Sequence, residues 1–120
     1  MKLLLMLFLH VVDDYYLQGI LSQLKQRSYW KKHAPEEMYE FDYLWALLVH
    51  GFSWAFMVML PFLSKEPTLP FYGLLVANTF IHAYIDNLKA NKRKINLWED
   101  QLLHILQIVS TYVLLTQGVF

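Results

Sequence analysis

Histidine and aspartate recur at helical spacing in this sequence. His10 and Asp14, His82 and Asp86, and Asp100 and His104 each stand four residues apart, and His50 stands alone between the first two pairs. On a helix, residues i and i+4 lie on one face, one turn apart. Each pair would therefore present an imidazole and a carboxylate from a single stripe, and Gln18 continues the first stripe by one more turn. Neutral imidazole and carboxylate are ligand types of zinc, iron and manganese. Helix bundles assemble metal sites from inward-facing carboxylates and histidines on facing helices. His10, Asp14, His50, His82, Asp86, Asp100 and His104 are thus candidate ligands for one or two divalent ions, zinc first, with iron or manganese as alternatives. A bound ion could activate a water for hydrolysis, with Asp14 or Asp100 as general base. The soluble di-metal class pairs Glu with His at a spacing of three. Here Asp is paired at four, which argues against that class's oxygen chemistry.

The same residues support two other functions. Ionisable groups inside a membrane commonly carry protons or ions, so a proton or cation transporter, or a channel component, could use them as a relay. A chain this small would then form a homo-oligomer to build a pathway. Polar side chains also hold helices together across a bundle. On that reading the chain is a structural or regulatory membrane subunit with a polar core.

Neighbouring residues divide by position. Asp13 adjoins Asp14 but lies about 100° around an α-helix, so one of the two is expected to be central, and spacing leaves open which. His33 falls in a polar connector and reads as a solvated histidine. Asn78, Gln101 and Gln107 read as interhelical hydrogen-bonding groups. Gly51 and Gly73 read as points of close helix approach, and the aromatics from Phe52 to Phe62 as lipid-facing or packed. Gly-rich phosphate loops, nucleophile elbows and HExxH are absent.

Long apolar segments must position these groups. The 120 residues suffice for a single domain, 1–120; 57% are hydrophobic and 17% aromatic, against 17% charged. A soluble globule of this size has too little interior to hide that apolar excess. Net charge is zero and basic residues are not interleaved with aromatics on one face, so neither a polyanion nor a nucleic acid is an expected partner. Cysteine is absent, which removes disulfides and thiolate ligands. Four apolar segments, about 3–24, 43–63, 69–88 and 97–119, each approach the ~20 residues that cross a bilayer as a helix. The expected fold is therefore all-α, a four-transmembrane-helix bundle. The first segment reads as a retained span rather than a signal peptide, because His10, Asp13 and Asp14 interrupt it and no small-residue cleavage pattern follows.

Lys25, Arg27, Lys31 and Lys32 fall in the first connector and Lys89, Lys92, Arg93 and Lys94 in the third, leaving Lys2 and Lys65 for the other side. The positive-inside rule then puts those connectors in the cytoplasm and both termini on the non-cytoplasmic side. At a rise of ~1.5 Å per residue, Gln18, His50, His82 and His104 fall at similar depths, roughly 10 Å from the cytoplasmic ends. A charge facing lipid would cost at least ~2.5–3.5 kcal/mol, so these groups are expected to face one another in the cytoplasmic half of the bundle. Spacing does not fix the form of the connector 25–42.

Four short motifs occur in order along nearly the whole chain. They are His10-Val-Val-Asp13-Asp14-Tyr-Tyr-Leu17-Gln18, Leu47-Leu48-Val49-His50, His82-Ala-Tyr-Ile-Asp86 and Asp100-Gln101-Leu-Leu-His104. Together they resemble the domain-of-unknown-function family 3307 (DUF3307), small integral membrane proteins of bacteria and phages. The resemblance implies a helical bundle with these residues inward, in the bacterial cytoplasmic (inner) membrane. It implies no activity. The doubled Asp13-Asp14 departs from the family's pattern.

Overall fold

The computed structural model describes residues 1–117, and every element among them is helical. Helix α1 spans Lys2–Val11 and continues into a π-helical turn, Val12–Leu17. Gly19 stops this segment at φ +54, a left-handed conformation that glycine adopts without steric cost. Short helices α2 (Leu21–Leu24) and α3 (Arg27–His33) follow, then a 3₁₀ turn at Glu37–Tyr39. The first expected span, 3–24, is therefore two helices with a break, and the connector 25–42 is largely helical.

Helix α4 covers Asp42–Met59 and closes in a 3₁₀ turn, Leu60–Phe62, at Pro61. Helix α5, Leu69–Ala90, starts at Thr68, whose hydroxyl accepts from the Phe71 amide, with Pro70 in the first turn. Helix α6, Leu97–Thr116, starts with a capping box in which Asn96 accepts from the Glu99 amide (2.9 Å) and Glu99 from the Asn96 amide (3.2 Å). Contacts run in a ring: α4 on α5, α5 on α6, and α1 on both α6 and α4.

The expectation of four membrane-spanning helices with both termini on one side is corrected. Among the described residues only one stretch, Glu37–Phe62, is long and apolar enough to cross a bilayer, and 44% of its most apolar window is buried inside the molecule. A buried core helix meets the same test. The shortfall elsewhere has two causes. Helix α1 with its π turn runs only from Lys2 to Leu17 before Gly19 ends it, about 24 Å at the α-helical rise against a hydrocarbon core of ~30 Å. Helices α5 and α6 are long enough, but Asn78, His82, Asp86 and Lys89 on one and Glu99, Asp100, Gln101, His104 and Gln107 on the other interrupt their apolar character. The last expected span ran to residue 119, and 118–119 lie outside the described residues.

Inside and outside are unusually sorted. An apolar cluster of Met6, Trp54, Ala55, Val58 and Ile108 occupies one part of the interior, with Phe62 and Tyr112 against it. Beside it lies a polar interior: His10, Asp13, His50, His82, Asp86, Asp100 and His104 are all buried, while Leu47, Met59, Phe71 and Ile85 are buried elsewhere. Meanwhile Phe8, Tyr16, Trp45, Phe52, Val76, Phe80, Tyr84 and Leu106 are exposed.

The two central glycines differ. A Cβ at Gly51 would lie 2.6 Å from the Thr79 carbonyl oxygen, so α4 and α5 touch there through backbone. A Cβ at Gly73 would meet nothing within 4 Å, so no close approach depends on it. Relieving the Gly51 clash requires a backbone shift of the kind that costs about 1–3 kcal/mol, more than the ~0.5–1 kcal/mol alanine gains over glycine in a helix. Gly51→Ala should lower the thermal unfolding midpoint, whereas Gly73→Ala should leave it unchanged or raise it. Thermal unfolding of the two purified variants beside the parent checks this.

Candidate metal centre

The π turn sets the first wall of the site. A π-helix takes more residues per turn than an α-helix, so consecutive side chains diverge less around the axis. Both aspartates consequently face inward. Asp13 is buried and accepts from the Ser53 hydroxyl (2.6 Å), with its second oxygen 3.7 Å from His50 Nδ1. Asp14 Oδ1 lies 3.1 Å from His50 Nε2 on the other side of the same ring. The imidazole of His50 thus sits between the two carboxylates, and the choice between them expected from α-helical spacing does not arise. Gln18, expected to extend this stripe, instead turns back and donates to the Asp14 carbonyl (2.9 Å).

Asp86 lies at the centre. Its Oδ1 is 3.1 Å from His104 Nε2, and its Oδ2 is 3.5 Å from His82 Nε2, 3.4 Å from His50 Nε2 and 2.9 Å from Lys25 Nζ. His104 Nε2 also lies 3.2 Å from Asp100 Oδ1, and His82 Nε2 lies 3.8 Å from Asp14 Oδ1. The His82 ring is stacked between Trp54, at 4.3 Å between centroids, and His104, at 4.1 Å. His82 and His104 have no exposed surface.

Three overlapping groups bring ligand atoms within 4.8 Å of one another: Asp14–His50–His82, His82–Asp86–His104 and Asp14–Asp100–His104. Six of the seven residues singled out by spacing are in these groups. His10 is in none of them. Trp54 Nε1 donates to His10 Nδ1 (2.8 Å). Because indole can only donate, the proton of a neutral His10 sits on Nε2, which lies 2.9 Å from Gln101 Oε1. Both ring nitrogens are therefore engaged. The Gln101 amide in turn donates to Asp100 (3.0 Å) and Asp14 (3.3 Å), so His10 orients carboxylates of the groups through Gln101.

The residues fit a cation. Neither ring nitrogen of His82 has a hydrogen-bond partner among the described residues, and neither has His104 Nδ1. Leaving such a buried group unsatisfied costs about 1–3 kcal/mol. Coordination through His82 Nε2 would satisfy one of them, and imidazole with carboxylate suits first-row divalent metals. Among the described residues the four carboxylates Asp13, Asp14, Asp86 and Asp100 are matched by two ammonium groups, Lys25 at 2.9 Å from Asp86 and the partly exposed Lys89 at 3.4 Å from Asp100. The buried His/Asp groups could hold a metal ion, of an identity that geometry leaves open.

Three participants carry no signal at helical spacing. Lys25 reads from sequence as a loop cation, yet it is buried. Its backbone is clamped by Asn91, whose amide donates to the Lys25 carbonyl (2.9 Å) and whose oxygen accepts from the Arg27 amide. Trp54 and Ser53 lie in the aromatic stretch of α4 and reach the cluster only because α4 faces α1. The Pro-Gly punctuation and charge pattern mark none of them. Asn78, Gln107 and Thr111 form a separate network joining α5 to α6, with Gln107 donating to Asn78 Oδ1 (2.9 Å) and Asn78 to Thr111 Oγ1 (3.0 Å). His33 stays in the exposed connector, bonded to the Tyr29 carbonyl.

The His10–Trp54 bond is open to a direct check. Trp54→Phe keeps a ring in place but strands His10 Nδ1. It should cost about 1–3 kcal/mol, read as a lower midpoint in chemical or thermal unfolding. A stability equal to the parent's would mean that the bond holds nothing in place.

Comparison with protein-family models finds no match to the chain. Comparisons with curated proteins and with solved structures likewise find no match.

Proposed function

We propose that this chain is a membrane-associated metal-binding protein that holds a divalent ion, zinc first, among Asp14, His50, His82, Asp86, Asp100 and His104. The observation that carries this reading is the buried His82 imidazole, which belongs to two of the three ligand groups and has no hydrogen-bond partner among the described residues. Iron or manganese accept the same donor set. The association with a bilayer, in the bacterial cytoplasmic membrane as the family resemblance implies, is supported by the sorting of side chains. Large apolar groups such as Phe8, Phe52, Phe80 and Leu106 are exposed while histidines and aspartates are buried. Exposed apolar area of that extent marks contact with lipid or another protein. This reading does not require each helix to span.

Held by these residues, such an ion would supply Lewis-acid activation of water at neutral pH. The reaction class we propose is therefore hydrolysis of a membrane-associated substrate. Of the two candidates, Asp14 is better placed to serve as general base in place of a ligand role. Its side chain is the most open of the ligand set, whereas Asp100 is fully buried and tied to Gln101 and Lys89.

A second reading has its own support. His50, Asp14, His82, Asp86, His104 and Asp100 form an unbroken series of contacts between 3.1 and 3.8 Å. Such a series is also a route for protons or cations.

Elemental analysis of the purified protein separates these readings. Metal should be present in the parent and in His10→Ala, and lost in His82→Ala and His104→Ala. Because protons compete with metal for imidazole, bound metal should also fall as pH is lowered. A parent that takes up no metal after loading with zinc, iron or manganese would end the metal reading. Proton or cation flux into liposomes, abolished in Asp86→Asn, would then favour the relay. For the bilayer, the protein should stay with the membrane pellet through an alkaline carbonate wash; full release into the supernatant would remove the lipid reading.

A further inference from the structure

Lys25 is the one ammonium buried inside the cluster among the described residues. Its Nζ lies 2.9 Å from Asp86 Oδ2, the oxygen that also faces His50 and His82. Two ions bound side by side would share carboxylates, and Asp86, like Asp14, is placed between histidines: its Oδ1 faces His104 and its Oδ2 faces His50 and His82. With Lys25 on Oδ2, only Oδ1, near His104, is left free of an ammonium contact. Charge points the same way. Of the four carboxylates, Asp86 is paired with Lys25 and Asp100 with Lys89, while Asp13 and Asp14 face His50, which leaves two excess negative charges when the carboxylates are ionised and the imidazoles neutral. One divalent ion balances that excess. A second would bring uncompensated positive charge into a buried volume, which is costly.

We infer that the Lys25 ammonium stands in the place of a second metal ion and fixes the capacity of the site at one. Lys25 is built into that position. Asn91 holds its carbonyl from α5, the Arg27 amide closes on Asn91, and Gly19 turns the chain so that α2 delivers the side chain to the cluster. The sequence thus supplies its own cation where a two-ion site would bind another. The inference rests on the metal-binding reading above and concerns how many ions that site takes.

The test is metal stoichiometry by elemental analysis and titration calorimetry with zinc alone, on the parent, Lys25→Met and Lys25→Arg. The parent and Lys25→Arg should saturate at one ion per chain. Lys25→Met, which keeps the length and removes the charge, should rise to two. Two ions in the parent overturn the inference, whether or not the variant folds. One ion in a folded Lys25→Met also overturns it and leaves Lys25 as a structural ion pair. No ion in the parent overturns the metal reading itself. Should Lys25→Met be unstable, its unfolding midpoint should recover with added zinc by more than the parent's rises. A midpoint that zinc does not move would count against the inference.

Discussion

A carboxylate almost shut off from water needs partners on both oxygens, and Asp86 has them from three other parts of the chain. His104 comes from α6, His50 from α4 and Lys25 from the end of α2, while His82 joins from one turn earlier on α5 itself. Removing one partner of a buried charge typically costs about 3–5 kcal/mol, so each element is held to the others through this group. The Gly51 contact lets α4 approach α5, which brings His50 within reach of Asp86. The clamp by Asn91 places Lys25. The π turn then sets Asp13 and Asp14 against the far face of the same cluster.

Trp54 divides the polar half of the interior from the apolar half. It packs with Met6, Val58 and Ile108 on one side. On the other it stacks on His82 and donates to His10. A single side chain thereby belongs to both the hydrophobic cluster and the histidine network. Amphipathic aromatics suit this place because the ring fills space while the N–H meets a polar partner. The second polar network, around Asn78, Gln107 and Thr111, is closed on itself by amide and hydroxyl bonds and holds α5 to α6. It contains no titratable group. The chemistry is thereby concentrated in the His/Asp cluster, and the Asn78 network serves cohesion.

Large apolar side chains such as Phe8, Phe52, Tyr84 and Leu106 are exposed while the histidines and aspartates of the cluster are buried or nearly so. Composition already implied this, since 57% hydrophobic residues in 120 cannot all be interior. Composition could not say how many helices are long and apolar enough to cross a bilayer. Hydropathy, length and continuity must coincide for a span, and here the residues that make the site are those that dilute the apolar character of α5 and α6. The first segment fails through continuity, because Gly19 ends it.

Local spacing settled the helical class, three of the four expected long helical stretches, in nearly the right places, and the six residues of the ligand groups. It could do so because a spacing of four is local, and helical periodicity carries local information directly to one face. Which of those faces meet was decided by tertiary packing. His10 has the same spacing to its carboxylate as His82, yet it is bound by Trp54 and Gln101, which lie 44 and 91 residues away. Asp13 joined Asp14 because the helix is wound as a π turn there, which side-chain spacing does not encode. Lys25 left its expected place in a solvated loop because Asp86, 61 residues away, offers a buried charge to neutralise. Electrostatic pairing acts through space, and residue types distant in sequence reveal it only once the helices have been brought together.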